Sequence, residues 1–379
     1  MSADSTPVPA GPTADPEVDP ESAPETGPAP AARRRRVESA TPSRRERSVP
    51  HAGWMVVAGK EFADHIRSAR FVVLLILLGL AALIPMYFAA DAIRDAASQV
   101  TGQSSIFLFL FTIAPRVGEA AGAAAGTTGT QLPSSWEFIA IVGPLLGLAF
   151  AFDAVNGERS SGTLPRLLSQ PIYRDDVVNG KFAAGLAVIG LVLTCIVVLI
   201  AAFGIIRLGI VPSAEEILRI TFWLIVTFLY VALWLAFGLL LSVMIRRAAT
   251  SALIAFGTWL LLTFFGGLIT NVINSVLAPR SGSLEEQARN LSLEQTITRL
   301  LPDTLYKEAS LAILNPQVSA VSNPATIGGY QQAAERIPSL QSFDQSILLV
   351  WPHMVTMLAI AIGFFALSYI RFMRQEVRA

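Results

Sequence analysis

Six runs of mostly apolar residues divide the chain: Phe71–Ala90, Trp136–Val155, Phe182–Ile206, Ile220–Ile245, Thr250–Ile273 and Ile347–Ile370. Each approaches or exceeds the roughly 20 residues that an α-helix needs to cross a bilayer. A seventh apolar piece, Ile106–Ala114, is too short to cross and predicts an interfacial or re-entrant turn. The segment before the first run, "HAGWMVVAGKEFADHIRSAR", places Trp54, Val57, Phe62 and Ile66 close to one helical face. Lys60, Arg67 and Arg70 are spaced to reach headgroups, the pattern of an amphipathic helix lying in the interface.

Two long polar segments join the spans on one side, Asp91–Ser135 and Asn274–Gln345. The first contains the Gly/Ala-rich "GEAAGAAAGTTGT" and predicts a flexible loop. In the second, Leu284, Ala288, Leu291, Ile297 and Leu300 recur at near-helical spacing behind Ser283, a residue suited to an N-cap. Pro302 then opens "PDTLYKEASLAIL" where a helix tolerates it. These two pieces predict a small helical cap outside the membrane. The fold class is therefore all-α: a polytopic membrane protein of six transmembrane helices with an interfacial N-terminal helix.

Composition agrees with this. Of 379 residues only 15% are charged, against roughly 25% in an ordinary soluble domain. The formal net charge of zero hides an asymmetry. With the N-terminus inside, the inner side holds Arg33–Arg36, Arg44, Arg45, Arg47, Lys60, Arg67, Arg70, Arg159, Arg166, Arg174, Lys181, Arg246, Arg247, Arg371, Arg374 and Arg378. The outer cations are scattered through long loops, whose charges count little, so both termini are expected in the cytoplasm. Residues 1–50 are rich in Pro, Ala and acids, then in Arg, and lack large apolar residues; they predict a disordered cytoplasmic tail drawn to anionic membrane lipid. Residues 51–70 form the interfacial helix, and 71–379 the six-span domain with outer loops 91–135 and 274–345.

Several chemistries find no residues to carry them. His51, His65 and His353 lie far apart, and no Cys or His cluster can hold a metal, so neither metal nor cofactor is expected. "VNGK" ends like a phosphate loop, but the position five before Gly180 is Asp175 and the residue after Lys181 is Phe182, not a hydroxyl. The span centres offer Thr194, Thr227, Tyr230, Thr258 and Thr263 rather than the ionisable groups that ion-driven transporters keep there. If the protein transports, its energy comes from another chain. Nothing points to a nucleic-acid partner. The lone Cys195, inside the third span, reads as a small packing residue. In the second span Gly143 and Gly147 flank Pro144 as a small-xxx-small pair, equally suited to an internal contact and to a dimer seam.

The loop 156–181 breaks the apolar pattern with "GERSSGTLPRLLSQPIYRDDVVNGK". Gly162 and Thr163 can start a short helix, Leu164, Leu167 and Leu168 fall on one stripe, and Pro171 ends it. Such a helix lies on the membrane or fills a groove in a partner.

This arrangement resembles the permease subunits of ABC transporters of the ABC-2 type. Their loop after the second span typically reads Glu, three residues, Gly-Thr-Leu, Leu-Leu, Pro, a basic residue, then Gly-Lys entering the third span. The matching positions here are Glu158, Gly162, Thr163, Leu164, Leu167, Leu168, Pro171, Arg174, Gly180 and Lys181, with Asp153 at the second span's inner end. "KEFADHIRSARF" is similar to the family's elbow helix, "LLPDTLYKEASLAIL" to its outer segment and "FMRQE" to its basic exit. The subfamily resembled includes the nitrous-oxide-reductase maturation and gliding-associated permeases. Pro165 departs from the pattern, and the long tail has no counterpart in it. The resemblance implies a membrane subunit of an ATP-driven exporter in the cytoplasmic membrane. It implies a homodimer served by two copies of a separate ABC ATPase, with the loop 156–181 as the coupling helix. The second expectation is a membrane-embedded assembly or signalling component using such an ATPase without carrying a solute.

Overall fold

In the computed structural model the described residues are 53–99, 106–114, 116–117, 130–163, 173–278, 283–316 and 342–374. Helix α1 covers Gly53–Arg67 and turns at Ser68 into α2, Ala69–Gln99. The Ser68 hydroxyl donates to the His65 carbonyl at 2.6 Å, which fixes that corner. A turn at 106–108 leads to the one-turn α3, Phe109–Thr112, and then to a two-residue antiparallel pairing of Arg116–Val117 with Thr130–Gln131. The long helices α4 (Ser135–Ala151), α6 (Arg174–Phe203), α7 (Ala214–Met244), α8 (Ala248–Leu277) and α11 (Phe343–Met373) follow. Between them lie the short α5 (Asn156–Ser160) and two mid-length helices, α9 (Leu284–Thr298) and α10 (Pro302–Leu314).

Six helical stretches, beginning with α2, are long and apolar enough to cross a membrane, each overlapping one of the six apolar runs of the sequence. The chain is a multi-pass membrane protein. Its spans alternate in direction, so α4, α7 and α11 finish at the end where α2, α6 and α8 begin. That end carries the loop 156–181 and is called the connector end below.

Local chemistry sets the boundaries. The Glu137 carboxylate accepts from both the backbone N–H and the hydroxyl of Ser134, at 2.7 Å each, and closes the start of α4. Ser213 and Glu216 cap α7 reciprocally, and Ser283 and Glu286 do the same for α9, at the N-cap expected from sequence. Glu216 also accepts from the Phe107 N–H at 2.7 Å. That bond pins the short 106–112 turn against α7, with Phe107, Leu108, Leu110 and Phe111 buried. Sequence alone predicts a turn that does not cross here, and this is what forms.

Helix α7 is the axis of the bundle. It packs against α4, α6, α10 and α11, and 61% of its apolar window is buried, against 11% for α8. Glycines make the close approach possible. A Cβ added at Gly147 would lie 2.6 Å from the Val231 carbonyl oxygen and 2.8 Å from the Leu235 nitrogen. Gly143 faces Val231 in the same seam. The small-xxx-small pair is thus an internal contact between α4 and α7. Cys195 is exposed on α6, among residues facing out of the bundle.

Helix α10 seats its apolar face against α7, α11 and α4, burying Leu305, Tyr306, Ala309, Ser310, Ala312, Ile313 and Leu314.

Candidate functional site: the clamp at the connector end

The connector leaves the bundle after α4 and returns at α6, and both of its feet are held by the α1–α2 arm. At the returning foot, Lys181 is buried, its side chain 3% exposed. Its ammonium donates to Glu61 Oε1 of α1 at 2.9 Å and to Glu158 Oε1 of α5 at 2.8 Å. One cation therefore ties three elements together. A cation so far out of water is stable only when opposite charge and hydrogen bonds replace its hydration. Here two carboxylates do so.

Gly180 explains why Lys181 reaches Glu61. A Cβ at residue 180 would lie 2.6 Å from Val57 Cβ and 2.8 Å from the Trp54 carbonyl oxygen, so the absence of a side chain lets α1 lie directly on α6. At Gly53, one turn earlier on α1, an added Cβ would likewise collide with the Asp176 carboxylate. Asp176 also accepts from the Tyr173 N–H at 3.3 Å, capping the first turn of α6. The Gly-Lys pair is thus a packing site followed by a charge, in the order the chain needs them.

At the departing foot, Arg70 pairs with Asp153 at 2.7 Å, and its guanidinium sits 5.2 Å from the centre of the Phe152 ring. His65 meets Phe150 edge to face at 4.9 Å. Burial pushes the His65 imidazole below its ordinary 6.5. Nearby, the hydroxyl of Ser242 on α7 accepts from the Val155 N–H at 2.9 Å and the Asn156 N–H at 3.2 Å, and Asn156 Nδ2 donates to the Ile245 carbonyl. So α5 is fastened to the end of α7.

Gly162 has φ +70° and closes α5: its N–H reaches the Arg159 carbonyl, and the Thr163 N–H reaches the Glu158 carbonyl at 3.0 Å. The Thr163 hydroxyl also turns back to the Glu158 carbonyl. Arg174 is exposed at the start of α6. Leu164, Leu167, Leu168 and Pro171, the expected coupling stripe and its stop, lie outside the described residues. Of the sequence candidates, then, Asp153, Glu158, Gly180 and Lys181 come together around α1. Gly143 and Gly147 belong to the bundle core.

Sequence reading missed two partners. Glu61 was not singled out, although it follows Val57 by four residues and so shares its helical face. Arg70, expected at headgroups, pairs with Asp153 instead. Lys60 is exposed and lies 3.3 Å from Asp64 on its own helix.

At the opposite end the contacts are of another kind. Tyr230 and Tyr306 stack at 4.5 Å, the Tyr230 hydroxyl donates to the Ala140 carbonyl, and Trp223 Nε1 donates to Ser310 at 3.1 Å. Burial raises the Tyr306 hydroxyl to about 12, so it stays a neutral hydrogen-bonding group. Arg219 donates to Glu215, to the Ile313 carbonyl and to Ser346, joining α7, α10 and α11. Glu308 accepts from Arg299 at 2.7 Å and meets His353 Nε2 at 2.7 Å. Burial works against its charge, yet these two partners hold its carboxyl below the usual range. Asp303 keeps Lys307 at 2.7 Å, but burial outweighs that pair and raises its carboxyl. Among the described residues no group of three or more His, Cys, Asp or Glu is arranged to hold a metal ion.

The ABC-2 family transporter protein model matches residues 55–377. The chain is also 30% identical, over 176 residues, to the "Probable ABC transporter permease protein NosY" of Stutzerimonas stutzeri. That alignment covers 44% of this chain and 62% of the relative, so the chain spans less than two thirds of that protein. The family match runs from α1 through all six spans and takes in both feet of the connector with the arm that grips them, and on that extent the chain belongs to the ABC-2 family of transporter proteins, as a membrane subunit of the permease type.

Proposed function

We propose that this subunit is the membrane half of an ATP-driven exporter in the cytoplasmic membrane, working as a homodimer with two copies of a separate ABC ATPase. Both termini and the loop 156–181 are cytoplasmic in this reading, and 91–135 and 274–345 face outward. The loop is the coupling element. Its apolar stripe of Leu164, Leu167 and Leu168 fills a groove on the ATPase, and Glu158, Gly162, Thr163, Pro171 and Arg174 set its start, stop and placement. One observation carries the reading: buried Lys181 binds the connector through Glu158 to the interfacial helix through Glu61. A push on the connector therefore moves α1 and the ends of α4 and α6 as one body. A loop that merely reversed the chain would need no such attachment.

The test is recovery of the ATPase with the wild-type chain and with Leu167→Asp. Each fully buried Leu contributes about 1.5–3 kcal/mol, and the substitution adds the cost of desolvating or protonating a carboxylate. Binding is expected to weaken at least about tenfold, the factor that 1.4 kcal/mol represents, while membrane insertion is retained. Equal recovery would show that the stripe is not the docking surface. Orientation is checked by impermeant thiol labelling of intact cells in a Cys195→Ser background: Ser283→Cys should react and Ser161→Cys should not.

A further inference from the structure

The turn from α9 into α10 carries charged side chains to the middle of the membrane-crossing helices. As α10 runs from Tyr306 to Ile313, its partners on α7 run back from Tyr230 and Thr227, through Trp223, to Arg219. Helix α10 is therefore antiparallel to α7, and its first turn lies beside the middle of that span. Another span brackets the turn from the side: a Cβ added at Gly266, well inside α8, would lie 3.0 Å from Leu301 Cδ1. Two ion pairs, Arg299 with Glu308 and Lys307 with Asp303, thus stand at bilayer depth, and His353 of α11 joins the first of them. Charged groups placed so deep face the protein interior or a water-filled cavity, because lipid solvates them poorly.

The two signs of charge are not equally accessible. The Arg299 and Lys307 side chains are 35% and 41% exposed, whereas their partners Glu308 and Asp303 are 18% and 14% exposed. The carboxylates lie beneath, and the cations face outward. Arg299 meets Glu308 through Nε, which leaves its forked terminal nitrogens, the geometry that grips phosphate and carboxylate, to a ligand. Apolar surface adjoins the cations: Leu300, next to Arg299, and Leu311, one turn beyond Lys307, are both exposed. We infer that this turn lines a water-filled path through the membrane, where Arg299 and Lys307 hold the anionic head, phosphate or carboxylate, of an amphipathic substrate whose chain lies on the leucines. The inference rests on the exporter reading in one respect only, that the subunit carries a solute, and it names the class of that solute.

The full chain in a Cys195→Ser background is reconstituted in phosphatidylcholine vesicles with one new cysteine. Thr304→Cys places it one turn before Lys307, and Leu268→Cys places it on the exposed apolar face of α8, near Gly266. A charged thiol reagent is present on both sides of the vesicle. Thiols react as thiolates, which form in water and not in lipid, so Thr304→Cys should label more than about tenfold faster than Leu268→Cys. Octyl phosphate should slow the labelling at 304 several-fold, whereas octyltrimethylammonium and inorganic phosphate at the same concentration should not. Adding Lys307→Gln should remove that protection and Lys307→Arg should keep it. Should Lys307→Gln aggregate, salt replaces it: in about 1 M salt, where the Debye length is near 3 Å, protection of the parent protein should vanish. Labelling at 304 as slow as at 268 would overturn the path. Equal protection by the cationic amphiphile, or protection that survives Lys307→Gln or high salt, would overturn the anion subsite. Equal protection by inorganic phosphate would overturn the amphiphile in favour of a free anion. No arm involves the ATPase, so the exporter reading stands or falls separately on the recovery experiment with Leu167→Asp.

Discussion

The two ends of the bundle are fastened by different chemistry. At the connector end a buried ammonium bridges two carboxylates, and an arginine pairs with a third. At the opposite end α10 is held mostly by stacked aromatic rings and hydrogen bonds of hydroxyl and indole groups, with ion pairs at its margin. A bridged buried charge is costly to separate, because each group left behind is both charged and poorly hydrated. Interhelical hydrogen bonds in membrane proteins average only about 0.6 kcal/mol each, since the separated groups find other partners. Under the proposed coupling, the connector end would move as one body and the end around α10 would rearrange.

The largest effect is expected from Lys181→Met. It removes the bridge and leaves Glu61 and Glu158 facing each other, largely buried. A loss of about 3–5 kcal/mol is expected, read as a marked fall in the thermal midpoint of the detergent-purified chain and as early proteolysis in α1. A loss no larger than that of a surface lysine would dissolve the contrast between the two ends.

Gly180→Ala sharpens the contrast without touching a charge. The new methyl group meets Val57 and the Trp54 backbone, so α1 has to lift, at a cost of about 1–3 kcal/mol. Reaction of a cysteine placed at Val57 with a thiol reagent, in the Cys195→Ser background, should then speed up. On the opposite side Tyr306→Phe removes the hydroxyl that meets Thr227, at a cost of about 0.6 kcal/mol for each interhelical hydrogen bond lost.

The smallest effect concerns pH. Because burial lowers the His65 pKa in the folded protein, the unfolded chain binds the extra proton first as pH falls below the ordinary 6.5. The stability contributed by neutral His65 is complete above that value and declines as pH drops through the window beneath it. The thermal midpoint should fall between about pH 7.5 and 5.5, and His65→Phe, which keeps an aromatic ring against Phe150, should flatten that part of the curve. An unchanged slope in the variant would remove His65 from the account.

The spans were legible in the sequence because a bilayer imposes a length and a composition, and all six runs meet them. How the spans pack was not. Helices α7 and α8 are both long and apolar, yet one is the axis and the other lies mostly exposed. Lipid tails are as apolar as leucine, so hydropathy does not rank helices by burial. Small and polar residues do the ranking, and Gly147 shows how: it was visible as half of a pair, but the backbone of α7 that it touches was not. The candidate site was readable as spacing. Glu158, Gly180 and Lys181 stood out together, whereas Glu61 is separated from Lys181 by 120 positions. No local pattern links residues so far apart, and only the approach of α1 to Gly180 makes them neighbours.

The central claim is that the clamp carries motion from the connector to the rest of the bundle. It is tested most directly at Ser310, fully buried beneath Trp223 on α10. Ser310→Cys is placed in the Cys195→Ser background, and the complex with the partner ATPase is assembled in vesicles. Reaction with a small thiol reagent is then followed with and without a non-hydrolysable ATP analogue. The account predicts that the analogue accelerates labelling when Lys181 is present. In Lys181→Met the ATPase should remain bound while the analogue has no effect on Cys labelling. An equal nucleotide response with and without Lys181, or none in the protein whose clamp is intact, would contradict it.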